Sequence, residues 1–174
     1  MTVPKAVPAA NPFWTFSLDL YRAPEVQRAC IDLQDGSGVD VNVMLFLLYL
    51  ASRGRRVSPA EVARIVSAIE PWKAGVVVPL RTARRNLKAP PAPIDARGAE
   101  ALRQTVKTAE LAAERLQQDA LYSHFGPATW PKADPVAPAL AAAANLGSYG
   151  TVLGRPLAPE PVAAMLSALK TQME

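Results

Sequence analysis

Apolar positions recur along most of this chain at steps of three and four residues, the period of a helix with one buried face. Asn11-Pro12 opens the first such run, with asparagine as cap and proline in the first turn, and Phe13, Trp14, Phe16, Leu18 and Tyr21 follow. Pro24 opens a second helix through Val26, Cys30 and Leu33, which should close near Gly36-Ser37-Gly38. Asp40 is placed to cap a third helix, Val41 to Arg53, ended by Gly54. That helix is apolar on nearly every side, so it is expected at the centre of the core.

Ser58-Pro59-Ala60-Glu61 combines a capping box with proline at the first helical position. Val62, Ile65, Val66 and Ile69 then mark one face. Pro71 is expected to start a new segment running to about Lys88, with a kink at Pro79. Ala89-Pro90-Pro91-Ala92-Pro93 reads as a stiff extended linker. Beyond it, Asp95 to about Tyr122 predicts one long helix. Its seam of Ala99, Leu102, Val106, Ala109, Ala113, Leu116 and Ala120 suits a closely approaching partner helix, in the same chain or in a second copy. Ala139 to Leu146 predicts a short helix broken by Gly147-Ser148-Tyr149-Gly150, and Pro159 to Met173 a last amphipathic one. No convincing strand is present. The reading is all-α: an irregular, orthogonal bundle of about six to eight helices, with one long helix in the C-terminal half. Residues 11–88 form a core, 89–94 a linker, and 95–174 an extension packed on that core.

Composition agrees with helices. Hydrophobic residues make up 50% of the chain but aromatic ones only 6%, so the core must be built from Ala, Leu and Val. The lone cysteine, Cys30, sits in an apolar stretch and is expected to be a buried, inert thiol. Residues 1–10 lack an export-signal pattern, and the longest apolar run, Val43 to Ala51, is about half a bilayer span, so a cytoplasmic protein with no membrane segment is expected. Residues 1–88 hold 12 Lys/Arg against 7 Asp/Glu, and residues 89–174 hold 7 against 8. A basic front half weakly favours an anionic partner.

Several chemistries lack their residues. One histidine and one cysteine cannot build a Cys/His zinc site within one chain. No glycine-rich loop has phosphate- or dinucleotide-binding spacing. His124 follows Ser123 at a helix end, with no nucleophile elbow. No catalytic residue and no cofactor is therefore assigned, and an enzyme is the less favoured class.

Two polar motifs remain. The turn Leu33–Asn42 carries Gln34, Asp35, Asp40 and Asn42 directly before the central helix. Capping and turn formation explain much of it; a recognition surface is the second possibility, and a hard-cation site on Asp32, Asp35 and Asp40 the weakest. The other motif is a helical face bearing Arg81, Arg84, Arg85 and Lys88. It could lie in solvent, clamp onto Asp32, Asp35 or Asp40, or grip an external anion. No aromatic residues interleave these arginines, so nucleic acid is not the expected partner.

Four segments in order carry a resemblance: Phe13-Trp14-x-Phe16-Ser17-Leu18-x-x-Tyr21, Leu33-Gln34-Asp35-x-x-Gly38-x-Asp40-Val41-Asn42, Pro71-Trp72, and Pro79-Leu80-Arg81-x-x-Arg84-Arg85-x-Leu87-Lys88. Over residues 11–88 the chain resembles an uncharacterised family of small proteobacterial proteins built on a domain of unknown function. The resemblance implies a bacterial, mostly helical, cytoplasmic protein and carries over no activity. The expected function is a non-enzymatic protein-interaction module. Its binding surface would use Gln34, Asp35, Asp40, Asn42, Arg81, Arg84, Arg85 and Lys88, with Trp14 and Trp72 as aromatic neighbours; a homodimer through the 99–120 seam is a further possibility. The alternative is a magnesium-dependent binder or enzyme acting on a phosphate or diphosphate.

Overall fold

A computed structural model describes residues 11–130 and 134–173. The reading of residues 1–10 lies outside them. Eight α-helices and no strand are present among the described residues: α1 Pro12–Tyr21, α2 Pro24–Ser37, α3 Val41–Ser52, α4 Pro59–Trp72, α5 Val78–Asn86, α6 Ala96–Phe125, α7 Pro138–Val152 and α8 Pro159–Met173.

Local chemistry sets most starts. Asn11 accepts from the amides of Phe13 and Trp14, Asp40 from those of Asn42 and Val43, and Asp95 from that of Gly98. Ser58 and Glu61 exchange bonds in a complete capping box. α2 ends at Gly38, whose φ of +64° is the left-handed conformation that glycine adopts without strain.

α3 is the hub. Every residue from Asn42 to Ala51 is buried, and the helix packs against α7, α6 and α1. Phe13 meets Phe46 edge-to-face at 5.1 Å between ring centroids, and Tyr49 meets Phe16 at 5.5 Å and Tyr122 at 6.1 Å. These contacts tie α1, α3 and α6 together, each buried ring adding roughly 2–3 kcal/mol of apolar transfer. α2 lies on α8, and α5 on α6.

Three expectations are corrected. Helix α4 does not stop before Pro71 but carries it inside and continues through a π-type turn, Lys73–Val77, into α5. Pro79 follows directly on that wide turn, whose altered bonding accommodates the irregularity expected as a kink. Helix α7 runs unbroken through Gly147–Gly150. A Cβ at Gly150 would lie 3.0 Å from the Arg155 carbonyl oxygen, so this glycine serves a close approach of the following loop, and the helix ends only at Val152, ahead of Gly154 with φ +70°. Third, the alanine seam of α6 is only partly interior. Ala99 and Ala113 are buried, whereas Leu102, Ala109 and Leu116 face solvent, and the buried side carries Glu110, Gln117 and Gln118 instead.

α7 contributes one fully buried polar residue. Asn145 donates from Nδ2 to the carbonyl oxygens of Leu47 and Arg55, both at 3.0 Å, and accepts at Oδ1 from the Val57 amide at 2.7 Å. Ser148 donates to the Val57 carbonyl oxygen at 2.9 Å. The loop after α3 is thereby held by side chains of a helix some ninety residues later in the chain. Trp72 donates from its indole nitrogen to the Ala113 carbonyl oxygen at 3.0 Å, pinning α4 to α6.

Candidate functional site

A cleft of about 780 Å³ opens between the turn joining α2 to α3 on one side and the π-turn with α5 on the other. α1 forms one end wall, and α6 lies along the floor. Nine of the ten candidate residues line it: Trp14, Gln34, Asp35, Asp40, Asn42, Arg81, Arg84, Arg85 and Lys88. Trp72 is absent from the lining, because its indole is committed to Ala113. Asp32 is exposed on α2 outside the cleft.

The polar turn is held from within. One Asp40 carboxylate oxygen caps α3, and the other accepts from Gln117 Nε2 at 2.8 Å. The Tyr149 hydroxyl accepts from the Asp40 amide at 2.8 Å. Burial and the nearby Asp40 carboxylate push the Tyr149 phenol well above its ordinary range. Asn42 donates to Gln117 Oε1 at 3.2 Å and accepts from Gln118 Nε2 at 2.8 Å. The turn and α6 thus share one amide–carboxylate network.

The arginine face meets α6 rather than the turn. Arg81 bonds Glu110 at 3.1 Å and Glu114 at 2.8 Å, and Arg84 closes on Glu110 through both Nε and a terminal nitrogen. Only Arg85 reaches the turn, pairing with Asp35 at 3.2 Å where both side chains are about half exposed. Of the three alternatives for the arginine face, the clamp onto Asp32, Asp35 or Asp40 exists only as this single rim contact, and the cleft lies between the two motifs.

The carboxylates on the floor titrate in opposite directions. Burial raises Glu110, but hydrogen bonds and charge from Arg84 and Arg81 outweigh it and hold Glu110 below the ordinary carboxylate value. Glu114 is raised, because burial outweighs the opposing pull of Arg81. Burial also raises the Tyr21 hydroxyl, with Cys30 and Glu114 adding to it. The Cys30 thiol is buried and pushed up to about 12, as expected for an unreactive core cysteine.

Glu110, Glu114, Gln117 and Gln118 were not legible as site residues. Their spacing of four, three and one puts them on one side of a helix, which was the available signal. Read alone, a polar stripe on a long helix looks like a solvated face.

Asp32, Asp35 and Asp40 do not converge: Asp35 pairs with Arg85, and Asp40 caps α3. Among the described residues no group of three or more His, Cys, Asp or Glu is close enough to hold a metal ion. No helix among them is long and apolar enough to cross a membrane.

The rim has a different character from the floor. Leu18, Tyr21, Ile31, Val78 and Leu111 all line the cleft while remaining 39–54% exposed. They are half of the large apolar side chains left exposed among the described residues, so the remaining apolar surface is concentrated here. Trp14 adds a ring face over which the Arg115 guanidinium lies at 4.4 Å. Ser17 Oγ on the α1 wall and Gln118 Oε1 on the floor are buried without a hydrogen-bond partner among the described residues.

The residues lining the cleft run from Trp14 to Gln118. No curated protein and no solved structure matches the chain. Residues 12–121, more than half of its length, match the family described as a protein of unknown function (DUF2390), and the chain belongs to that family.

Proposed function

We propose that the protein is a non-enzymatic cytoplasmic interaction module, and that the cleft between the α2–α3 turn and α5 receives a segment of a protein partner. The observation that carries this reading is the ring of five exposed apolar side chains around one polar-floored groove. Large apolar side chains left half exposed and concentrated around one groove mark a surface that a partner can cover. The phosphate alternative is less favoured because Arg81 and Arg84 already have carboxylate partners.

A partner screen in lysate tests this. Substituting Arg84 and Arg85 would disturb the Glu110 and Asp35 pairs, so the better probe is the rim double variant Ile31→Asp/Leu111→Asp. Both side chains are about half exposed, so the fold should tolerate the change. The wild type is expected to recover a partner that the variant loses at least tenfold. Identical recoveries from both would sink the reading.

A homodimer through the 99–120 seam is supported separately by the exposed outer stripe Leu102, Ala109 and Leu116 on α6. Light scattering at micromolar concentration is expected to read a dimeric mass that falls to monomer in Leu102→Glu/Leu116→Glu. A monomeric wild type would remove this second reading.

A further inference from the structure

We infer that the occupant of the cleft is an acidic amphipathic helix of another protein, its carboxylates on Lys88 and Lys107 and its apolar face against the rim. The inference rests on the interaction reading above and names the chemistry of the partner.

The charge balance gives the sign. Six cationic side chains line the cleft (Lys73, Arg81, Arg84, Arg85, Lys88 and Lys107) against four carboxylates (Asp35, Asp40, Glu110 and Glu114). The carboxylates are all engaged: Glu110 and Glu114 with arginines, Asp35 with Arg85, and Asp40 with the α3 amides and Gln117. Lys73 pairs with Glu70 at 3.2 Å. Among the described residues Lys88 and Lys107 make no ion pair, and both are exposed. They also lie at one end of the cleft. Arg81 reaches Glu110 and Glu114, and Arg84 reaches Glu110, so α5 and α6 run antiparallel here. One turn beyond Arg84 is Lys88, and about one turn before Glu110 is Lys107. The surplus positive charge is therefore local, and it complements carboxylates on a partner.

Backbone accounting gives the shape. Apart from the turn at Gly38–Asp40, the walls are helices whose amides and carbonyls are satisfied internally, and the described residues offer no strand edge. An extended peptide could not pair its backbone with such walls, and its polar main chain would lie against Ile31, Val78 and Leu111. A helix satisfies its own backbone and presents side chains alone. The rim residues come from four elements, Leu18 on α1, Ile31 on α2, Val78 on α5 and Leu111 on α6, so a helix with anchors spaced at three and four residues can meet several of them at once.

The test uses the full chain and a display library of 18-residue helical peptides. Leucines are fixed at every third or fourth position, and the other positions sample Glu, Lys, Ser and Gln equally. Panning is expected to enrich Glu-rich peptides. Their affinity should fall at least tenfold for Lys88→Glu/Lys107→Glu, and that variant should itself select Lys-rich peptides. Neutral or Lys-rich winners on the wild type would overturn the acidic assignment, as would winners indifferent to the lysine reversal. A library yielding no binder overturns the helical occupant, while the rim-variant partner screen separately decides whether the cleft binds protein. Acidic winners that bind Ile31→Asp/Leu111→Asp as well as wild type would place the interaction elsewhere and overturn both.

Discussion

Glu110→Gln is expected to lower the free energy of unfolding by about 3 kcal/mol at neutral pH, near the low end of the cost of removing one partner from a buried ion pair. The Glu110 side chain is 7% exposed and receives bonds from both Arg81 and Arg84. A neutral amide would leave two guanidiniums facing Glu114 alone. Each arginine keeps about a fifth of its side chain in water, which softens the penalty. The pH dependence carries a sign. Because Glu110 is held below its ordinary value near 4.5, its contribution is present above that pH and lost as the pH falls through its depressed value. Glu114, raised by burial, acts oppositely, binding its proton at higher pH in the fold than in the unfolded chain and opposing stability once ionised. Urea unfolding followed by circular dichroism at pH 7 and near pH 3 checks both parts. The wild-type advantage over Glu110→Gln should shrink on acidification. A loss below about 1 kcal/mol at pH 7, or an advantage that does not shrink, would count against the ion-pair account.

Asn145→Ala is expected to cost a similar amount, about 3 kcal/mol, through a different mechanism. The side chain is fully buried and makes three hydrogen bonds, of which the one from the Val57 amide satisfies a main-chain donor with no other bond among the described residues. Alanine would orphan that amide, strip one acceptor bond from Arg55 and Leu47, and leave a small void. The damage should be local as well as global: hydrogen exchange at Val57 should accelerate more than at amides inside α3. Unchanged exchange at Val57 together with a wild-type urea midpoint would contradict this role.

Most of the helix boundaries were readable because they are written in short-range chemistry. Asn11, Asp40, Ser58 with Glu61, and Gly38 act within a few residues of themselves, so their neighbours suffice to interpret them. The apolar character of Val41–Ser52 likewise announces a buried helix whatever surrounds it. The floor of the cleft was hidden because its polarity is answered from far away. Glu110 is buried only because Arg81 and Arg84, nearly thirty residues earlier, neutralise it. Nothing in residues 96–125 alone distinguishes it from an exposed glutamate such as Glu100. The apparent boundary at the proline linker had the same origin. The recognised motifs ended at Lys88, yet the family match continues to residue 121, across the helix that supplies the counter-charges for those motifs. Gly147–Gly150 misled for the converse reason: glycines can mark a close approach as well as a break, and only the fold distinguishes them.

The π-type turn at Lys73–Val77 has a consequence for phase. Successive residues of an α-helix advance by about 100° around the axis, so one residue accommodated in a wide turn rotates everything downstream by roughly that angle. Here the downstream segment carries Arg81, Arg84 and Arg85, while Trp72 upstream is fixed to α6. With that anchor behind it, the length of the stretch sets the azimuth of the arginines as strictly as their identity does. A single-residue deletion between Trp72 and Pro79 would keep every charged side chain of α5 and still turn its arginines away from Glu110 and Glu114. Spacing in this part of the chain is therefore as much a determinant of the cleft as composition.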